Sequence, residues 1–324
     1  MKLFRFLSGS VLALVLFGCA SAPSPTAIIA PPTSTAPTAE GARAHQLPVF
    51  KGAYLGQPRP GTTPEPFAPE IFAVDGRYGY HLHSSLFFSP DGQQVYFMNQ
   101  SLETHQLTPL FIQQENDVWT APQAAPLPDL PHSVTSFVFA PDWSRLYLYS
   151  NPAPENGPED QDKSGFWVME RTQSGWSEAL YIGPPADIER DDGTLYFSAI
   201  IPGGHGSHDV YRSRFIDGGY TDPENLGVAI NSAAEEYVSC VAPDESYVIF
   251  YRFDRANPSQ SGLYVTFRRP DDAWTEPVYL DDKLELAFGF AASLSPDGRY
   301  LFLLDRGSGL YWVDAAVMEQ FRPE

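Results

Sequence analysis

Cysteine is almost missing from this 324-residue sequence: it occurs only at positions 19 and 240. Two cysteines cannot build a disulfide framework, so stability must come from a packed core. Positive charge is also scarce, with 20 Lys and Arg against 40 Asp and Glu and a formal net charge of −20. A surface that acidic repels phosphate backbones and anionic membranes, which excludes non-specific nucleic-acid binding. No apolar run reaches the length of about 20 residues that a membrane-spanning helix needs. There is no G-x-S-x-G elbow, Walker loop, dinucleotide fingerprint or cysteine-rich metal motif, so the common signatures of hydrolases, nucleotide enzymes and zinc modules are absent.

What is present begins with a leader. Lys2 and Arg5 precede an apolar run from Val11 to Phe17, and Gly18 stands directly before Cys19. This order of charge, apolar run and small residue reads as a secretory signal over residues 1–18. The stretch Leu16-Phe17-Gly18-Cys19 resembles a bacterial lipobox, which implies that Cys19 is the lipidated residue. A diacylglycerol there would anchor the chain through buried methylenes worth about 0.8 kcal/mol each. Ala20 follows where an aspartate would favour inner-membrane retention, so the expected location is the outer membrane, facing the periplasm. Residues 19–46, rich in Ala, Pro, Ser and Thr, have too little apolar surface to offset chain entropy and are expected to form a disordered tether. Residues 47–324 remain for one large folded domain. Cys240 lies in the strand-like run Tyr237–Val241 and is expected as a small buried hydrophobe.

Periodicity organises that domain. Ser89-Pro90-Asp91-Gly92, Ala140-Pro141-Asp142-Trp143, Arg190-Asp191-Asp192-Gly193, Ala242-Pro243-Asp244-Glu245 and Ser295-Pro296-Asp297-Gly298 place their third-position aspartates 51, 50, 52 and 53 residues apart. Strand-like runs flank these turns, as in Ser85–Phe88 before and Val95–Met98 after the first. Proline presets the turn, aspartate accepts backbone amides and glycine tolerates positive φ, so every unit contains a hairpin. An aromatic third strand recurs as Phe166-Trp167-Val168, Asp209-Val210-Tyr211, Leu263-Tyr264-Val265 and Leu310-Tyr311-Trp312. A fourth element carries an aromatic residue three before a proline at Trp119–Pro122, Tyr220–Pro223 and Trp274–Pro277. It is expected as the outermost strand, where proline is tolerated.

Four short strands in each of five units of about fifty residues predict an all-β fold, a single β-propeller of five four-stranded blades. A sixth blade is the alternative, but residues 47–79 are too few for four strands. A β-sandwich would carry no such self-similarity. The fifth unit lacks an outer strand after Trp312, so residues 64–76 are expected to supply it, closing the ring by pairing the N- and C-terminal segments.

These motifs resemble the WD40-like, TolB-type propeller repeats of bacterial envelope proteins, with their S-P-D-G turn, aromatic D-I-Y strand and W-s-x-P strand. The glycine-rich Pro202–Tyr211, together with Tyr54–Gln57 and Phe67–Pro69, is similar to the same family. The resemblance spans residues 50–316 and implies fold more than function, because propellers host unrelated activities. A separate N-terminal domain like that of TolB is not expected.

In a propeller the innermost strands line a central channel. Residues leading into them include His83 and Ser84, Ser133 to Ser136, Asp187 and Glu189, Glu235 and Glu236, and Phe288 to Phe290. A ring of His83, Asp187, Glu189, Glu235 and Glu236 at the channel mouth is therefore the candidate binding site. No cofactor is required, although such acids could hold a divalent cation. His205, His208 and Asp209 offer metal-ligand chemistry too, but without a third distant ligand they read as an exposed connection. The expected function is that of a non-catalytic, monomeric lipoprotein binding an envelope protein or small ligand. The alternative is a hydrolase or lyase acting on a carbohydrate or lactone through the acidic channel residues.

Overall fold

The structure, a computed structural model, describes residues 48–72, 81–101, 103–128, 133–151, 165–173, 175–183, 188–217 and 219–323. The leader, Cys19 and the tether lie outside them, as do residues 73–76 and Asp187. Five antiparallel sheets succeed one another along the chain as the blades of a five-bladed β-propeller, so the six-bladed alternative falls.

The recurring turn shows why the sequence repeats. Asp91 accepts the amide of Gln93, Asp142 that of Ser144, Asp192 that of Thr194, Asp244 that of Ser246 and Asp297 that of Arg299. The fourth turn residue has positive φ in all five copies: +69° at Gly92, +58° at Trp143, +84° at Gly193, +57° at Glu245 and +68° at Gly298. Glycine takes that conformation without strain. Where it is absent, the larger side chain has a partner: Trp143 stacks on Phe139 at 4.1 Å, and Glu245 pairs with Arg268 at 2.8 Å.

In blade IV, Glu235–Val241, Tyr247–Phe253, Gly262–Phe267 and Val278–Tyr279 pair in that order from hub to rim. Blade I uses Phe87–Phe88, Gln94–Gln100 and Leu107–Glu115. Here the expectation for the fourth element needs correction. Val118–Trp119 pairs with Glu115 and Gln114 as the tip of a hairpin, and the outer strand is the following Gln123–Ala124, which pairs with Phe111 and Leu110. Blade II repeats this with Gly175–Trp176 and then Leu180–Gly183. In blade III, Tyr220 belongs to a separate hairpin and Glu224–Asn225 is the outer strand. The aromatic residue thus ends the hairpin, and the proline, which cannot donate to a ladder, separates it from the outer strand.

The ring closes as expected. Glu65 and Pro66 pair with Trp312 and Tyr311 of blade V, and the Phe67 amide donates to Leu310 O at 2.8 Å. The same N-terminal segment also grips blade I, where the Trp119 indole donates to Gly52 O at 2.7 Å. Phe67, Ile71 and Phe72 are buried with Phe88, Phe97, Phe302 and Trp312 in the core joining blades V and I. Further apolar cores join IV to V, III to IV and I to II. At the II–III seam, the described residues bury Ala140 and Tyr147, with Val138, Val168 and Leu195 packed against them.

Candidate functional site

Each innermost strand begins at one end of the hub and finishes at the Asp turn at the other. Blade IV starts with Glu235 opposite Phe253, and blade V with Gly289 opposite Asp305. In blade I, the His83 amide donates to Met98 O at the same level. These starts bring a chain of rings together around one mouth. His83 lies 5.7 Å from Phe290, Phe290 5.1 Å from Tyr251, Tyr251 6.5 Å from Tyr237, and Tyr237 5.0 Å from His208, measured between centroids. Phe288 also meets Tyr251 edge-on at 6.1 Å.

The acids predicted to ring the mouth are placed differently. Glu189 directly precedes its turn, as Phe88 does in blade I, so it lies at the far end of its strand from His83. It is buried, paired with the Arg145 guanidinium of blade II and hydrogen-bonded by the Tyr147 hydroxyl at 2.8 Å. Burial pushes its carboxyl above the usual glutamate range, against the pull of Tyr147 and Arg145. Glu236 sits at the mouth level but is fully buried, taking hydrogen bonds from Ser232 and from Arg252 Nε at 2.8 Å. Glu235 accepts from the Tyr237 hydroxyl at 2.7 Å and Arg255 Nε at 2.9 Å, with His208 at 3.9 Å. Burial opposes its ionisation, yet those two donors hold its carboxyl below the ordinary range. Of the four described residues, Glu189 is at the opposite end, Glu236 is inward, and His83 and Glu235 face the mouth, so these four do not form one ring; Asp187 lies outside the described residues. Among the described residues, no group of three or more His, Cys, Asp or Glu side chains is placed to hold a metal ion.

His83 is half-buried and kept below the ordinary histidine range, first by burial and then by the nearby Arg306 charge, with a hydrogen bond to the Gln100 side chain acting the other way. Ser84 Oγ accepts the Met98 amide, and Thr135 Oγ1 donates to Tyr149 O, so both brace strands. The glycine-rich loop is built around Asp209, which is buried and accepts the His205 and Gly206 amides and the Asn225 amide group. A Cβ at Gly206 would lie 2.0 Å from Ala234 O, so the loop is glycine-rich because backbone packs on backbone there. Cys240 is buried and its thiol is pushed up to about 12 by burial, which leaves it inert as a nucleophile.

Two features were invisible to motif reading. Hub serines bolt neighbouring blades together: Ser85 to Ser293 at 2.8 Å, the Ala292 amide to Ser239 at 2.7 Å, and the Val238 amide to Ser198 at 2.8 Å. Arg306, just beyond the second strand of blade V, lays its guanidinium over Phe290, 3.5 Å from the ring centroid. A cavity of about 910 Å³ lies elsewhere, outside blade IV, between Phe267, Arg268 and Arg322. Its Arg268 and Arg322 are already paired with Glu245, Asp272 and Glu319.

No family model matches the chain, and no curated protein matches it. Solved structures do. A chain described as TolB from Agrobacterium tumefaciens is 13% identical, with 69% of each chain covered and a TM-score of 0.41. The β-propeller domain of the Trilobed protease from Pyrococcus furiosus, of open velcro topology, is 13% identical over 70% of this chain and 67% of its own, with a TM-score of 0.36. Hydrazine synthase from Kuenenia stuttgartiensis is 14% identical with a TM-score of 0.39; the match covers 70% of this chain and 62% of that one. At such identities the likeness concerns fold alone.

Proposed function

We propose that this chain is an exported lipoprotein, anchored through Cys19 at the outer membrane facing the periplasm, whose propeller binds an envelope protein or small ligand at the hub mouth without catalysing a reaction. One observation carries the binding role. The described acids of the expected ring are engaged by arginines, Glu235 with Arg255, Glu236 with Arg252 and Glu189 with Arg145, while the half-buried rings of His83, Phe288, Phe290 and Tyr237 border the mouth around the buried Tyr251. Paired carboxylates are poorly suited to proton transfer or cation binding, whereas aromatic surface with a few polar tips is suited to recognition.

Turnover on a panel of glycans and lactones, with and without divalent metal, separates this reading from hydrolase or lyase chemistry. The expected result is none for either the wild-type chain or Glu235→Gln. Metal-dependent turnover lost in Glu235→Gln would overturn the binding reading. For the anchor, Cys19→Ala should fold normally yet leave the membrane fraction; continued membrane partitioning would contradict it. Affinity capture from solubilised envelope identifies the partner.

A further inference from the structure

Arg306 stands apart from the arginines beside it. Arg252 and Arg255 of blade IV hold Glu236 and Glu235, but Arg306 forms no ion pair among the described residues. It lies flat on Phe290, with the rings of Tyr251 and His83 beyond that platform. Its backbone is held in place. The Arg306 amide donates to Phe288 O at 3.0 Å, and the fully buried Asp305 accepts the amides of Ala287, Phe288, Gly307 and Ser308. Asp305 is thus engaged with four amides at the base of the loop rather than with the guanidinium next to it. Burial works against the charge on Arg306, although a guanidinium stays protonated at physiological pH.

A guanidinium stacked on an aromatic face retains its in-plane N–H donors, and these match a planar anion. We infer that Arg306 and Phe290, with Phe288, Tyr251 and His83 around them, form a binding site for a carboxylate carried on a flat apolar body. This rests on the binding reading above and gives it a ligand chemistry. The half-buried rings of Phe290, Phe288 and His83 supply contact for the apolar part, with the buried Tyr251 behind them, and the fork of Arg306 supplies the charge. The chain's net charge of −20 selects a monoanion, since a dianion meets twice the repulsion. A free aromatic acid and a peptide ending in an aromatic residue share this chemistry.

Isothermal titration of the full chain would use 2-naphthoate, its neutral amide, inorganic phosphate, and acetyl-Ala-Ala-Phe with a free or an amidated C-terminus. The expected result is that the free acids bind at least tenfold more tightly than their amides and than phosphate, with the ratio of tripeptide to naphthoate affinity naming the source. Arg306→Gln, at an exposed position, should remove that preference while the circular dichroism and melting temperature stay unchanged. Phe290→Leu should weaken acid and amide alike. Acid and amide binding equally, or an acid preference that survives Arg306→Gln, would overturn the inference while leaving the binding reading intact. Absence of binding by every probe would overturn it too, and the binding reading would then be judged by envelope capture alone.

Discussion

Two seams of the same ring are held by opposite chemistries. Between blades V and I the chain packs Phe67, Phe72, Phe88, Phe97, Phe302 and Trp312 into one core, with Phe67 5.0 Å from both Phe302 and Trp312. Between blades II and III, the described residues pair a small apolar cluster around Ala140 and Tyr147 with the buried Glu189 carboxylate, which is held by Arg145 and Tyr147. The repeat fixes strands and turns, while each seam is free to use its own side chains. Apolar seams gain about 1.5–3 kcal/mol per buried large side chain and demand little geometry. A polar seam contributes little net stability but suffers when one partner is lost.

The largest effect is expected at the apolar seam. Trp312→Ala should cost about 3–5 kcal/mol in urea unfolding, the range for deleting a buried aromatic side chain; a loss below about 1 kcal/mol would show that the seam does not support the ring. Next comes Arg145→Met. It strands the buried Glu189 and should cost about 1–3 kcal/mol, less than for a fully buried pair because the Arg145 side chain is 38% exposed. Adding Glu189→Gln should recover part of that loss, and strictly additive effects would contradict coupling across the seam.

Smaller effects follow from pH. The Glu189 carboxyl has a raised folded value, so its contribution is complete below the ordinary glutamate range and fades as pH rises through that folded value. Asp272, at the III–IV seam, behaves in the opposite sense. Hydrogen bonding from Arg212, with Arg268 beside it, depresses its carboxyl well below the usual aspartate range, so its contribution is present above that range and fades on acidification. Unfolding free energies followed across pH should therefore show Glu189→Gln flattening the decline toward neutral pH and Asp272→Asn flattening the decline in acid. Identical profiles for the two variants would contradict the assignment. The smallest effect belongs to Glu245→Gly, within about 1 kcal/mol of zero, because relief of positive φ offsets the lost pair with Arg268.

The hairpins and ring closure were legible because they depend on local chemistry. An aspartate two residues before an amide and a missing fourth strand can both be seen in the sequence. The outer strands were misread because the aromatic-to-proline run marks a hairpin tip, and which segment pairs next to it is a long-range matter. Glu189 was misplaced although the signal existed: it abuts its turn as Phe88 does, whereas His83 stands six residues before Ser89. Distance from the turn, rather than acidity, sorts the hub residues. Arg306 belongs to no motif, and Phe290 sits in the β-bulge between Gly289 and Ala291, which no pattern announced.

The claim on which the rest depends is that the N-terminal segment completes blade V. Amide hydrogen exchange at Phe67 tests it most directly, because that buried residue's amide donates to Leu310 O across the closure. The account predicts protection matching that of the inner strands of blade V, released only by global unfolding. Exchange at Phe67 as fast as in an unstructured peptide, with blade V still protected, would contradict it.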